Sequence, residues 1–435
     1  MKKLKRRFFI KGSSALAGGL ILPSFNNINK PRFKKKKLKL SVIGCGGRGT
    51  GAVVQALRAD KDVKLVAMAD VFKDRIVSSL NSIREEMSEE TEINIKEKNI
   101  FTGFEAFKKA IDLADVVILA TPPGFRPDHF KHAVENNKHV FMEKPLATDA
   151  HGVRKVLRAA KIAEEKKLSV VVGLQRRYQK SYLNILEQVN SGAIGKILSG
   201  QVRWNGSGVW VKNREIGQTE MEYQMRNWYY FNWLCGDHIV EQHIHNIDVA
   251  NWFIGEYPQT AQGMGGREIR NGLNHGEIFD HHFVEFKYPS GAVISSQCRH
   301  QPNTYAQVNE YLIGSKGKIE LNDRSSLNIK DHNDKIIHSY DANDDESPYQ
   351  LEHDKFFKSI RDGKPINDAE HGAKSTLTAI MGRMATYTGK LISWDEALNA
   401  DDNMIPPELN WDSNPPSLPD INGKYKIPKP GLYKI

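Results

Sequence analysis

The stretch with the clearest chemical capability is 44–49, Gly-Cys-Gly-Gly-Arg-Gly, which joins an apolar run to a segment with helical periodicity. Gly44 permits a tight turn, Gly46 lets a phosphate group approach the backbone, and Gly49 lets the helix pack closely on the strand. The N–H groups and positive dipole end of that helix bind phosphates. Asp70 ends the next apolar run about twenty residues later, where a carboxylate binds ribose hydroxyls. We therefore predict a dinucleotide site containing Gly44, Gly46, Gly47, Arg48, Gly49 and Asp70.

The type of dinucleotide follows from the charge at the end of the second strand. Asp70 favours NAD, because a carboxylate repels a 2′-phosphate, although the nearby Lys73 and Arg75 leave NADP open. Cys45 lies inside the turn, where a small buried filler is expected rather than a reactive thiol. The chain has three cysteines and no paired Cys-x-x-Cys spacing, so we expect no disulfide framework.

Two further turns follow apolar runs that have the composition of buried parallel strands. The run 115–120 is continuous, as in a strand covered on both faces, and leads into Thr121-Pro122-Pro123. The run 139–142 leads into Glu143-Lys144-Pro145. Ligands of open α/β sheets bind at these carboxyl ends. There the Lys144 ammonium can bind an alcohol oxygen and stabilise its alkoxide character; the alternative is a solvated surface charge.

These motifs resemble the glucose–fructose oxidoreductase/inositol dehydrogenase (Gfo/Idh/MocA) family, above all in Glu-Lys-Pro at 143–145, and the resemblance extends over about 38–400. It implies that Thr121, Pro122, Glu143 and Lys144 contact the cofactor. It also implies that Lys144 lies beside the nicotinamide, orients the substrate hydroxyl and assists proton transfer.

A histidine-rich stretch at 236–248 is the second informative segment. The family usually has Asp-x-Gly-x-His here, with the histidine as general acid/base, and His245 matches that histidine. Glu241 replaces the aspartate and His243 replaces the glycine, which indicates a divergent branch. In a helix, Glu241 and His245 would share a face. A metal cluster that includes His238 is the alternative, but a helix would scatter these side chains and no HExxH spacing is present, so we predict no metal.

Several other residues are predicted to contact the substrate. The stretch 224–233 is dense in aromatic rings and amides, a composition that suits sugars, and it contains Asn227 and Trp228. Arg177 lies where the family commonly places a substrate arginine, and His281 begins a predicted strand. The alternatives are an aromatic core or oligomer contact, an ion pair for Arg177, and simple surface exposure for His281. Glu241 completes the predicted substrate set.

The alternation of strands and helices predicts an α/β protein with an N-terminal Rossmann domain. Strands with period two then accumulate after residue 279, which predicts a C-terminal α/β domain with an open, mostly antiparallel sheet. We expect a signal and linker at 1–37, the NAD(P)-binding domain at 38–150, a substrate and oligomerisation domain at 151–400, and a proline-rich arm at 401–435.

The basic charge is confined to the N-terminus. Residues 1–37 contain 12 Lys or Arg and no acid, so the remainder has a formal charge of −2 although the whole chain has +10, and we expect no nucleic-acid partner. Residues 5–11 contain a twin arginine, and 12–22 form an apolar run too short to span a bilayer. This leader resembles a twin-arginine export signal, which implies a periplasmic or exported protein without stable membrane insertion; a basic tail is the alternative.

These features predict an exported NAD-dependent oxidoreductase that transfers hydride from a secondary alcohol of a sugar or glycoside. His245 would take the hydroxyl proton, Lys144 would orient the oxygen, and the cofactor would be tightly bound in a homo-oligomer. Two alternatives are a redox-neutral NAD-dependent glycosidase or lyase and a non-catalytic sugar-binding protein.

Overall fold

The computed structural model describes residues 37–434 apart from 88–92, 94 and 323–325. The predicted signal and linker, at 1–37, lie outside the described residues apart from Lys37. Among the described residues, no helix combines the length and the apolar character needed to cross a membrane.

The N-terminal sheet has six parallel strands in the order β3-β2-β1-β4-β5-β6. The strands are β1 (Leu38–Ile43), β2 (Val63–Asp70), β3 (Ile100–Thr102), β4 (Val116–Leu119), β5 (His139–Met142) and β6 (Val170–Val172). This is the strand order of a Rossmann fold. Successive strands are added on one side of β1 up to β3 and on the other side from β4 onward, so the switch point lies between β1 and β4. The crevice at that switch point is therefore where a dinucleotide is expected to bind.

Helices cover both faces of this sheet and one face of the second sheet. The helices are α1 (Gly47–Ala59), α2 (Lys73–Glu86), α3 (Ala106–Asp112), α4 (Arg126–Glu135), α5 (Ala150–Glu165), α6 (Lys180–Asn190), α7 (Glu220–Arg226), α8 (Asn232–Cys235), α9 (His238–Glu241), α10 (Ile244–Ile254), α11 (Pro348–Asp362), α12 (Ala369–Thr388) and α13 (Trp394–Asn399).

The second sheet has nine strands in the order β14-β13-β12-β11-β7-β10-β9-β8-β15. The strands are β7 (Ile197–Gly206), β8 (Thr260–Gly266), β9 (His281–Lys287), β10 (Val293–His300), β11 (Gln307–Gly314), β12 (Gly317–Leu321), β13 (Ser326–Asp331), β14 (Ile336–Asp341) and β15 (Ile392–Ser393). Among the strands that the structure describes in this sheet, only β7 and β10 pair in parallel. Buried and half-buried residues alternate along β10, as in a sheet with one covered face. The predicted fold class is confirmed.

The first sheet extends past residue 150, where the sequence predicts the boundary between the NAD(P)-binding and substrate domains. The fully buried run β6 pairs in parallel with β5, and α5 is the crossover helix between them, so the first domain continues to Val172. Helix α11 also joins this domain from far along the chain, because Phe356 and Phe357 pack in the core around β1 and α1. Local periodicity identifies these elements but does not determine which sheet they pack against.

The C-terminal arm, 401–434, has no helix or strand and lies along the body of the protein. The Met404 N–H donates to Asp149 at 2.7 Å, next to α5. Further along, the Tyr425 hydroxyl donates to Glu220 on α7 at 2.5 Å. The arm therefore connects elements of both sheets' domains.

Candidate active site

The glycine turn has two kinds of glycine. Gly44 has φ +92°, and a Cβ on Gly49 would lie 2.0 Å from the Gly44 carbonyl oxygen, so these two positions serve the turn and the close packing of α1 on β1. A Cβ on Gly46 or Gly47 would meet nothing within 4 Å. Gly46 also begins α1 without a side-chain cap. The turn therefore presents uncapped N–H groups to open space, as phosphate binding requires.

That open space is a cleft of about 580 Å³ at the switch point of the first sheet. Asp70 lines it, and its carboxylate accepts the N–H groups of Cys45 at 2.7 Å and Phe72 at 2.9 Å. Burial raises the pKa of Asp70, and the two N–H groups oppose that rise. The glycine turn, the acid and the turn after β4 line one cleft, and the residues fit a dinucleotide. The predicted cofactor residues in this lining are Gly44, Gly46, Gly47, Arg48, Asp70, Thr121 and Pro122.

Lys144 is held by a single residue of the second domain. Its Nζ donates to the Glu241 carbonyl at 2.5 Å and to Glu241 Oε1 at 2.8 Å. Both side chains are only 11% exposed. An ammonium has three N–H donors, so one remains for a ligand oxygen. Lys144 is thus oriented at the carboxyl end of β5, and Glu241 neutralises its charge.

His245 lies in the same region, but the helix expected to carry it with Glu241 is broken. Glu241 ends α9, and His245 lies in the first turn of α10, after a kink at Gln242 and His243. The ring of His245 stacks on Trp204 of β7 with centroids 5.8 Å apart. Its Nδ1 is buried and has no hydrogen-bond partner among the described residues. Burial and the charges of Lys144 and Arg176 hold the pKa of His245 well below its usual value, so the imidazole is neutral at pH 7.

Two arginines connect these parts, and sequence reasoning missed the role of one. Arg48 of the glycine turn donates to Glu143 Oε1 at 2.6 Å, which joins the turn to the residue beside Lys144. Arg126 was not predicted. Its guanidinium is buried and donates to the Thr121 carbonyl at 2.5 Å and the Pro145 carbonyl at 2.6 Å, so it bridges the turns after β4 and β5. Burial lowers the pKa of Arg126 to about 10.

A buried polar cluster beside the site was also missed. The cluster brings one carboxylate oxygen and two ring nitrogens within 4.8 Å of one another, and these atoms belong to Asp237, His238 and His282. Asp237 already accepts hydrogen bonds from the His238 ring at 2.8 Å, the Phe279 N–H at 3.0 Å and the Tyr387 hydroxyl at 2.5 Å. These contacts satisfy the carboxylate and anchor the start of α9. The prediction that no metal binds stays untested.

The structure places the other residues predicted to contact the substrate in three different surroundings. Arg177 makes a bidentate ion pair with buried Asp248, both contacts at 2.8 Å, which is the alternative allowed for it. Asn227 is fully buried, and its amide holds the Lys212 N–H and the Asn274 carbonyl, so it positions a loop. Trp228 lines the dinucleotide cleft.

The prediction that His281 reaches the substrate is not supported by its position on β9. His281 is 41% exposed at its side chain and pairs with Asp280, whereas its neighbour His282 is buried beside α12. Adjacent strand residues point to opposite faces, and His281 points away from the helix-covered face.

Comparison with known proteins gives the relationship of the chain. A model described as an oxidoreductase family with an NAD-binding Rossmann fold matches 38–174, and a GFO/IDH/MocA C-terminal domain model matches 182–320. The 2,7-anhydro-N-acetylneuraminate hydratase of Escherichia coli is 28% identical over 48% of this chain, and the chain spans 52% of that protein.

Two further comparisons extend over more of the chain. The inositol 2-dehydrogenase of Rubrobacter xylanophilus is 25% identical over 67% of this chain and 73% of its own length. A structure of levoglucosan dehydrogenase with NADH and levoglucosan shares the fold with a TM-score of 0.66 and 16% identity, and the match covers 82% of this chain and 98% of that one. Because the two family models together match more than half of the sequence, the chain belongs to the Gfo/Idh/MocA family of oxidoreductases.

Proposed function

We propose that this protein is an NAD-dependent dehydrogenase that oxidises a secondary alcohol of a sugar, glycoside or cyclic polyol. The observation that carries the proposal is the pairing of an oriented ammonium with a neutral imidazole beside the dinucleotide cleft. Lys144 has one N–H donor left after its two contacts with Glu241, and His245 is a neutral imidazole close enough to Lys144 for the ammonium charge to lower its pKa. These are the two groups that removal of a hydroxyl proton requires.

The residues divide the reaction between them. Lys144 donates to the substrate oxygen and stabilises the negative charge that develops as the proton leaves. The proton moves from the hydroxyl to the His245 imidazole, which is neutral and can accept it. The nicotinamide supplies the hydride acceptor for the carbon of that alcohol, so one hydride and one proton leave and a ketone forms. Arg126 holds the turn that carries Thr121 in place, and Arg48 holds Glu143 next to the glycine turn.

The relatives support this substrate class. Inositol 2-dehydrogenase acts on a cyclic polyol and levoglucosan dehydrogenase on an anhydrosugar, as their names state, and both substrates offer ring hydroxyls. We propose NAD over NADP because Asp70 lies at the ribose end of the cleft, where a 2′-phosphate would meet a carboxylate.

The test is a panel of sugars, glycosides and cyclic polyols, followed at the NADH absorbance with either dinucleotide. We expect turnover of at least one polyol or sugar and its loss in Lys144→Met and His245→Asn. Lys180→Met and His332→Asn are matched controls on exposed side chains that do not line the cleft. Turnover unchanged by both site variants would overturn the assignment of these residues.

A redox-neutral reaction is the second candidate, because the hydratase relative shares 28% identity with this chain. Oxidation of one carbinol acidifies a neighbouring C–H bond, a leaving group departs, and the hydride returns to the ketone. Product release without accumulation of NADH would favour this candidate over net dehydrogenation. A non-catalytic sugar-binding protein would bind the ligand with no turnover in either assay.

Three further expectations complete the proposal: tight cofactor retention, homo-oligomerisation and export. Export rests on the sequence of the leader alone, with Arg6 and Arg7 as the twin arginine. Fusion of residues 1–37 to a reporter tests it, since Arg6→Lys together with Arg7→Lys should keep the reporter in the cytoplasm. Sedimentation of the purified protein tests the oligomer.

A further inference from the structure

The adenosine end of the dinucleotide cleft is closed by residues from outside the Rossmann domain. The segment 207–228, here called the clasp, connects β7 to the turn after α7. Its residues on the cleft are Trp210, Lys212, Met225, Arg226 and Trp228. We propose that the clasp, supported by Trp411 of the C-terminal arm, retains the dinucleotide as a slowly released group. This inference rests on the proposed function in one respect, that the cleft binds a dinucleotide.

The position of the clasp identifies which half of the cofactor it covers. Asp70 at the end of β2 marks the ribose of the adenosine half, and β2 lies on the opposite side of the switch point from β5 and Lys144. Phe72 and Phe104 line the same end of the cleft, on the Rossmann side. The clasp therefore faces the adenosine half and leaves the Lys144 end to the substrate.

An ion pair fastens the clasp to the Rossmann domain. The Arg226 guanidinium donates to both carboxylate oxygens of Asp74, at 2.7 and 3.0 Å. The same guanidinium lies over the Phe72 ring, 3.6 Å from its centroid. Arg226 ends α7 and Asp74 lies in the first turn of α2, so the contact spans the mouth of the cleft between the two domains.

The arm supports this closure from the outside. The Trp411 ring lies 5.3 Å from Phe72 and 4.8 Å from Phe104 by ring centroids. The hydrogen bonds of Met404 to Asp149 and of Tyr425 to Glu220 fix the arm on both sides of Trp411. Gln224 of α7 also donates to the Ser417 carbonyl at 2.6 Å. The clasp and the arm thus hold each other, and both must move to open the adenosine end.

A binding site that opens only when a segment moves releases its ligand at the rate of that movement. Removal of one fastening contact should therefore raise the dissociation rate more than it changes association. The variants that test this are Trp411→Ala and Arg226→Gln. Trp411→Phe keeps an aromatic ring against Phe72 and should restore slow release.

The measurement uses the full chain loaded with reduced dinucleotide, whose fluorescence is followed after a chase with excess oxidised dinucleotide. We expect release about tenfold faster in Trp411→Ala and Arg226→Gln, and within about twofold of the parent in Trp411→Phe. Ile421→Ala, a 99% exposed position on the same arm, and Lys180→Gln, in an exposed ion pair, are the controls. Thermal unfolding of the cofactor-free variants separates release from loss of the fold, and we expect these midpoints to match the parent.

The outcomes distinguish this inference from the proposed activity. The clasp would be overturned if Trp411→Ala and Arg226→Gln released the dinucleotide at rates within about twofold of the parent. Faster release in both variants, rescue by Trp411→Phe and no turnover of any sugar or polyol would leave the clasp standing and reject the catalytic proposal. A chain that binds neither dinucleotide rejects both.

Discussion

The two halves of the site are built from different materials. The cofactor half uses backbone N–H groups, one carboxylate and aromatic walls, and its central turn lies within one short stretch of chain, 44–49. The proposed catalytic half uses buried charged groups, and Lys144 and Glu241 are 97 positions apart. A backbone cradle depends on the absence of side-chain atoms, whereas a buried charge depends on its partner. We therefore expect the cofactor half to be impaired when side-chain atoms are added, and the catalytic half to be impaired when a charged partner is removed.

The largest contrast is expected within the glycine turn. Gly49→Ala places a methyl group 2.0 Å from the Gly44 carbonyl oxygen and should destabilise the fold by about 3 kcal/mol or more. Gly46→Ala meets no atom within 4 Å, so the fold should be kept while the methyl group occupies space for the phosphates. Thermal unfolding and dinucleotide titration measure the two effects. Equal unfolding midpoints for both variants would contradict this division of roles.

The second prediction concerns the buried ion pair. Lys144→Met should lower kcat about a hundredfold or more, because the developing alkoxide loses its donor. It should also cost about 3 kcal/mol of stability, because the Glu241 carboxylate is left buried without its partner. In Lys144→Met with Glu241→Leu we expect stability to recover and activity to stay low. Activity that recovers together with stability would reduce Lys144 to a structural role.

The third prediction concerns the imidazole. His245→Asn should lower kcat about a hundredfold. Because burial holds the pKa of His245 well below its usual value, the ring stays unprotonated as pH falls through 6.5, the ordinary value for histidine. The wild-type rate should therefore show no decline near that pH when measured at saturating substrate. A decline centred there would mean that the group limiting the rate is a histidine in water rather than this buried ring.

The last prediction concerns acid stability. Burial lowers the pKa of His243 to about 3 and of His282 to about 4, whereas both take up protons near pH 6.5 in the unfolded chain. The unfolded state then binds more protons, so stability is full above pH 6.5 and is lost as pH falls toward 3 or 4. Each histidine should contribute about 1.4 kcal/mol per pH unit within that window. His243→Gln should flatten the dependence of the unfolding midpoint on pH; an unchanged slope would contradict it.

The same contrast explains what the sequence could predict. The turn at 44–49 and the parallel strands follow from local spacing and apolar runs, so the fold class was accessible. Arg126 was not, because its acceptors are carbonyl groups of two separate turns and carry no residue signature. His281 and His282 are neighbours on β9, so their side chains point to opposite faces of the sheet. The sequence does not show which of these faces the helices cover. Trp228, which the sequence predicts to contact the substrate, lines the cleft at the glycine turn.

The pairing of early and late parts of the chain has a consequence for the order of assembly. Gln350 of α11 donates to the Gln55 carbonyl of α1 at 3.0 Å across 295 positions, and Trp411 reaches Phe72 from still further along. Contacts of such sequence separation form only after the intervening chain has been made. A ribosome-bound chain that ends before residue 207 therefore lacks the clasp, α11 and the arm. The glycine turn is synthesised first, but the lining of its cleft is complete only once Trp228 has been made, and the outer support only once Trp411 has been made.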